Sequence, residues 1–446
     1  MSAAEGTAAG TGAGAVPPTG GVVTVQRCAD CRATYDERAP DASCPRCGGL
    51  LECEHAIALD AATLRARFAA RPTLGVGAAV SGVWRYRELV MPGVRDGEIV
   101  SHPEGHTPLI ARAALRDWAG VGSLLVKHEG HNPTGSFKDR GMTVGVTQAK
   151  RIGSRAVACA STGNTSASLA AYAANAGIPA LVLVPRGNVA LGKLTQTLAY
   201  GARTLLVDGD FDDCLRLARE AATALGVYLV NSINPFRIEG QKTIAFELLE
   251  QLRWEAPDWI ALSAGNLGNV SALGKALREA HALGLIARMP RLLAVQAAGA
   301  APFAQAFHEG FRSRRSVRAE TVATAIRIGD PASWDRGVRA IRDTDGYVAD
   351  ATDDEIMEAK AVIDAAGVGC EPASAASVAG VRKLVAAGVI GRDERVVAVL
   401  TGHVLKDPGI LVKYHQETDP PPARANRPIE IAASLSEIER AMRRQG

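Results

Sequence analysis

Seven short apolar runs, separated by stretches of helical spacing, constrain this chain more than anything else in it. The runs are Ala156 to Ala160, Ala180 to Val184, Thr204 to Val207, Tyr228 to Val230, Trp259 to Leu262, Leu292 to Val295 and Val396 to Leu400. Ser166 to Ala176, Phe211 to Leu225, Ile244 to Leu252, Ala272 to Leu283, Asp354 to Ala366 and Ala375 to Ala387 read as helices between and after them. Strand, helix, strand in alternation is satisfied by parallel sheets covered with helices on both faces, so the expected fold class is α/β with parallel-sheet cores. In such sheets ligands sit beyond the carboxyl ends of the strands, where helix N-termini point into a crevice. The chemistry is therefore to be sought at the strand-to-helix turns.

A chain of 446 residues has room for two to three domains and a large core. Fifty basic and 47 acidic side chains nearly cancel, which argues against nucleic acid or an anionic membrane as a partner. No apolar run is long enough to span a bilayer. Residues 1–21 are mostly Ala, Gly and Thr, without the basic start or Leu-rich stretch of a secretion signal, and read as a disordered tail of a cytoplasmic protein. In that compartment cysteines serve metals or remain thiols. Two Cys-x-x-Cys pairs, Cys28/Cys31 and Cys44/Cys47, lie on strand-like flanks within 22–56, the layout of a zinc ribbon with a closed, structural four-thiolate site. Cys53 and His55 lie close enough to compete as ligands, whereas Cys159, Cys214 and Cys370 read as small core residues. Residues 59–103 read as a linker. The proline-rich stretch Gln416 to Arg427 reads as a second one, before a last helix that Ser434 and Glu437 would cap.

Chemistry gathers at four places. In Asn132-Pro-Thr-Gly-Ser-Phe-Lys138-Asp-Arg-Gly141 one lysine sits between small residues and an aromatic, just before a run of helical spacing. A lysine held this way can shed water and become a nucleophile toward a carbonyl, although the same cluster could be an ordinary charged surface at a helix start. The pattern Ser-x-Gly-Asn occurs at Ser161 to Asn164 and again at Ser263 to Asn266, each between a strand and a helix. The second copy continues as Gly265-Asn266-Leu267-Gly268-Asn269, whose amides can converge on an anion. Arg237 follows Asn231-Ser-Ile-Asn-Pro and suits a second phosphate, unless it pairs with Glu239. Thr401 ends the last strand and could hydrogen-bond a pyridine nitrogen.

Seven motifs in order then carry a resemblance. They are EGHTPL (104–109), NPTGSFKDRG, STGNTSAS (161–168), NSINPFRIEGQKT (231–243), AGNLGN, EPASAASVAG (371–380) and LTGHVLKDP. Between His102 and Pro408 the chain resembles the threonine synthases, in the fold-type-II family of pyridoxal phosphate enzymes. The resemblance implies a two-domain architecture like the tryptophan synthase β chain over 57–414, with a smaller α/β subdomain at about 120–230, and a homodimer. It implies that Lys138 carries pyridoxal 5'-phosphate, Asn164 bonds its phenolic oxygen, Gly265 through Asn269 wrap its phosphate and Thr401 faces its ring nitrogen. Ser161, Thr165, Asn231, Arg237 and Asn266 would hold the phosphate of a phosphorylated amino acid. The implied reaction takes O-phospho-L-homoserine and water to L-threonine and phosphate. The alternative is β-replacement on O-phosphoserine, as in cysteate synthase. A threonine dehydratase would have no use for the phosphate ligands, and a zinc-ribbon scaffold with an inactive enzyme domain would bind no cofactor. Some threonine synthases resemble this chain in carrying a ribbon and others lack one, so it is not required for the chemistry. Leu267 departs from the family pattern, which often has a smaller residue there, and His128 and His131 around Glu129 have no evident counterpart.

Overall fold

The computed structural model describes residues 24–187 and 191–443. The expected tail at 1–21 lies outside them. The described residues form thirteen strands: β1 (Thr24–Cys28), β2 (Thr34–Asp36), β3 (Leu51–His55), β4 (Leu109–Ala111), β5 (Ser123–His128), β6 (Ala156–Ala160), β7 (Ala180–Pro185), β8 (Arg203–Val207), β9 (Val227–Leu229), β10 (Trp259–Ser263), β11 (Arg291–Ala297), β12 (Tyr347–Ala351) and β13 (Arg395–Leu400).

Strands β1 to β3 make an antiparallel sheet in the order β2-β1-β3. A six-stranded sheet runs β12-β11-β10-β13-β5-β4, parallel except for β4 at its edge. A four-stranded sheet runs β8-β7-β6-β9 and is parallel throughout. Strand β5 falls inside the range expected for the smaller subdomain, yet it pairs with β13 in the larger sheet.

All seven apolar runs are strands. The central ones are buried along their whole length (β6 and β10 show no exposed residue), as parallel strands covered on both faces must be. Strands β4, β5 and β12 were not anticipated. The expectation of a linker at 59–103 is overturned. Ala61–Ala70 is a helix capped by Asp60, whose carboxylate accepts from Thr63 N at 2.7 Å. Phe68, Trp84, Tyr86 and Leu89 are wholly buried in the same apolar core as β10 and the helix Gly268–Ala282. At the other end, Leu435–Arg443 is the expected last helix, and Ser434 Oγ accepts from Glu437 N at 3.4 Å.

Candidate active site

The carboxyl ends of both sheets open onto one cavity of about 1000 Å3. Lys138 enters it from the start of the helix Lys138–Arg151, after β5. The residues before it are fastened to the end of β13: Phe137 N donates to Thr401 O at 3.0 Å and His403 N donates to Gly135 O at 2.9 Å. The two residues after it are fully buried. Asp139 accepts from Thr134 N, Thr134 Oγ1 and Ser168 Oγ at 2.6–2.7 Å. Arg140 forms a two-pronged pair with Glu129 at 2.6 and 2.8 Å and a second with Glu247, which also takes Lys127 at 2.5 Å. Two cations and two carboxylates close this buried network, so the Lys-Asp-Arg run is an internal anchor and not a charged surface. His128 also belongs to the scaffold, its Nε2 lying 2.7 Å from Gly369 O.

The Lys138 side chain is half-buried, with its Nζ 4.1 Å from the Phe137 ring centroid. Loss of hydration lowers its pKa to about 7; the nearby Arg237 guanidinium lowers it too, and Glu371 opposes the shift. A substantial fraction of the amine is thus neutral at physiological pH, as a nucleophile or general base requires.

Across the cavity, Ser161, Asn164 and Thr165 lie at the start of the helix Asn164–Ala176, following β6. Asn231 follows β9 and pairs with Ala160, accepting from its amide at 3.2 Å. Gly265 to Asn269 follow β10 and open the helix Gly268–Ala282. Ser271 N is the first amide there to find an intrahelical acceptor, Leu267 O, so the amides of Gly268, Asn269 and Val270 are left for a ligand. Both polar atoms of the Asn269 side chain are buried without a partner. Gly265 is required by crowding, because a Cβ there would lie 3.0 Å from Ile326 Cα. Asn266, in contrast, is already engaged: it donates to Ser232 Oγ and accepts from Ala332 N, both at 2.6 Å. Leu267 has φ +61°, a conformation that costs a non-glycine residue roughly 1–2 kcal/mol. Its buried side chain holds the turn, packing into the main core against Gly337.

Arg237 does not line the cavity. It lies fully buried behind the wall, on the helix Pro235–Gln241 that Asn234 caps, accepting from Phe236 N and Arg237 N. One guanidinium nitrogen donates to Val230 O at 2.9 Å, while Nε and Nη2 have no partner. Burial without a counter-charge pulls its pKa down to about 10. Its anticipated alternative partner, Glu239, pairs instead with Lys242, Lys275 and His55.

Glu371 was missed from sequence. Its carboxylate is buried at the cavity wall, accepting from Asn164 Nδ2 at 2.9 Å and from Thr401 Oγ1 at 3.3 Å, and burial raises its pKa. It links two residues that the sequence reading named separately. It opens the motif EPASAASVAG, but a glutamate before Pro372 at a helix start looks like any other helix-start acid, and nothing in the motif points to Asn164 or Thr401.

Residues 100–402, well over half the chain, match the family described as Pyridoxal-phosphate dependent enzyme. The chain belongs to the pyridoxal-phosphate dependent enzyme family. Threonine synthase of Methanocaldococcus jannaschii is 44% identical over 421 residues, covering 94% of this chain and 99% of that protein. Threonine synthase of Mycobacterium tuberculosis is 51% identical over 334 residues, 74% of this chain and 89% of that protein. Among solved structures, threonine synthase from Escherichia coli superposes with a TM-score of 0.66 at 19% identity, over 92% of this chain and 96% of that one, a likeness of fold.

The residues present fit the family's cofactor. A lysine of lowered pKa, free helix-start amides with the unpartnered Asn269, and the Asn164–Glu371–Thr401 group all face one cavity. The four thiols at the other end also converge. The Sγ atoms of Cys28, Cys31, Cys44 and Cys47 lie within 4.8 Å of one another, with Cys28–Cys47 at 3.5 Å and Cys31–Cys44 at 3.6 Å. Tetrahedral thiolates about 2.3 Å from zinc would stand roughly 3.8 Å apart, close to this spacing. Cys53 and His55 are not in the cluster: Cys53 is buried in the main core and His55 bonds Glu239. No helix among the described residues is long and apolar enough to cross a membrane.

Proposed function

We propose that the chain is a threonine synthase, converting O-phospho-L-homoserine and water to L-threonine and phosphate. The observation that carries this reading is a second anion point beside the first. The free amides at Gly268 to Val270 suit the cofactor's phosphate, and the unsatisfied, uncompensated Arg237 guanidinium near Lys138 suits a phosphate on the substrate. The relatives named threonine synthase, which match along 94% and 74% of the chain, support the same reading.

Pyridoxal phosphate, when bound, supplies the electron sink for carbanion chemistry. Lys138 holds it and, as the neutral amine, takes the Cα proton of the substrate. Loss of a Cβ proton then lets the Cγ–O bond break, the electron pair leaving with phosphate. Cγ gains a proton, water delivers hydroxide to Cβ and its remaining proton to the medium, and Lys138 returns its proton to Cα. Ser161, Thr165, Asn231 and Asn266 around the cavity, with Arg237 behind its wall, hold the phosphate as it gains charge. Asn164 and Thr401 orient the ring, steadied by Glu371 between them. The ribbon holds structural zinc in a closed site. The enzyme works as a cytoplasmic homodimer.

The test is turnover of O-phospho-L-homoserine followed by NMR. Threonine and phosphate in equal amounts are expected. Phosphate without threonine, or turnover only of O-phosphoserine with sulfite, would replace this reading with the β-replacement one.

A further inference from the structure

The helix Pro235–Gln241 has two working sides. Arg237 and Glu239 are two positions apart, so at about 100° per residue their side chains leave on nearly opposite faces. Arg237 packs against Gly141 and Gly145 of the lysine-bearing helix, and its charge lowers the pKa of Lys138. Glu239 faces the ribbon. Its buried carboxylate accepts from Lys242, Lys275 and His55 Nε2, the last at 2.8 Å. The His55 ring is itself buried, with Nδ1 2.9 Å from Thr24 Oγ1 and its pKa lowered by desolvation. The ring is therefore neutral, with its proton on Nε2 for Glu239 and Nδ1 accepting from the threonine hydroxyl.

Lys275 extends the link to the other anion point. It stands seven residues, almost two turns, beyond Gly268 on the helix whose first turn offers its amides to the cavity. It also donates to Cys53 O at 2.5 Å. Strand β3 thus meets the catalytic region through charged hydrogen bonds at four of its five residues: Arg336 bonds Leu51 O, Arg339 bonds Glu52, Lys275 bonds Cys53 O, and His55 bonds Glu239. A seven-residue helix cannot hold its own orientation, since isolated helices shorter than about 12 residues are marginal. Tertiary anchors must fix it, and on the Glu239 side they come from β3 through His55 and from the helix Gly268–Ala282 through Lys275.

We propose that the ribbon is the outer support of the substrate-phosphate site, with His55 as a positioning residue that holds Glu239 against Lys275 and so fixes the helix presenting Arg237. This rests on the reading of Arg237 as the substrate-phosphate anchor. The ribbon depends in turn on its metal. Its own buried apolar cluster consists of Cys28, Cys44 and Leu51, too little to order three short strands without an ion. Metal occupancy is thereby coupled to phosphate affinity through β3.

The experiment uses the holoenzyme with inorganic phosphate as probe, its dissociation constant read from the cofactor's visible absorption. His55→Leu weakens phosphate binding about tenfold, the scale of one hydrogen bond to a charged group, while cofactor content is unchanged. His55→Gln, which can still donate to Glu239, restores most of the affinity. Stripping the metal from the wild-type protein reproduces the leucine variant, and it decides the matter should that variant not fold. Arg237→Ala abolishes phosphate binding in every case. If Arg237→Ala loses phosphate but His55→Leu and the metal-free protein bind it normally, the ribbon does not support the site and the inference fails. If Arg237→Ala binds phosphate like the wild type, the reading of Arg237 fails first, and the inference with it.

Discussion

Lys138 is defined by what surrounds it more than by its own position in the chain. The peptide before it is bonded to the end of β13, Asp139 and Arg140 after it are locked in the interior, and its amine faces a cavity with Arg237 behind. The consequence is a pH dependence of the same sense as a surface lysine's but displaced to lower pH. With the pKa lowered to about 7, the reactive neutral amine accumulates as pH rises through 7, whereas an ordinary lysine stays protonated up to about 10.4. The rate at which the cofactor-free protein recaptures pyridoxal phosphate should therefore reach half its maximum near pH 7, and Lys138→Ala should give no covalent capture at any pH. A midpoint near 10 would show the amine to be fully hydrated. At this scale the sequence was most legible where a motif spelled out a contiguous cluster: Lys138, Asn164, Gly265 to Asn269 and Thr401 all line the cavity. It was least legible where the partners are far apart in the chain. Glu371 gains its meaning only from Asn164 and Thr401, and His55 only from Glu239.

Among the elements, the seven strands visible in the sequence are runs of mostly apolar residues, the signature of a covered parallel strand, although β8 at its sheet edge leaves Leu205 and Leu206 exposed. Strand β5 escaped because its buried end carries Lys127 and His128, whose polarity is offset by Glu247 and by the backbone of Gly369. Strand β12 carries Asp350, which bonds Lys383 from the helix Pro372–Ala386. The segment 59–103 was read as a linker because its core anchors (Phe68, Trp84 and Tyr86 among them) follow no period. The network around Arg140 joins the lysine-bearing helix, β5 and the helix Thr243–Gln251. Replacing Arg140 with Met strands Glu129 and Glu247 as buried, under-compensated carboxylates. A loss of about 3–5 kcal/mol in urea unfolding is expected. A loss below about 1 kcal/mol would mean that water reaches the pair and screens it.

In the molecule as a whole, each sheet supplies half of one site. The six-stranded sheet presents Lys138, the turn at Gly265 to Asn269 and Thr401, while the four-stranded sheet presents Ser161 to Thr165 and Asn231. Asn266 bridges the two halves through Ser232, and the ribbon braces the helices of both anion points from outside. The parallel sheets and their ligand-binding edge followed from the strand and helix pattern. The join between ribbon and catalytic region did not, because its bonds run between residues more than 180 positions apart. The central claim is that this cleft breaks the carbon–oxygen bond of a phosphorylated amino acid and adds water one carbon away. Turnover of O-phospho-L-homoserine in oxygen-18-labelled water tests it directly, with both products read by mass spectrometry. One labelled oxygen is expected in the threonine hydroxyl and none in the released phosphate. Label in the phosphate would show phosphorus–oxygen hydrolysis, and with it a phosphatase in place of the reaction argued here.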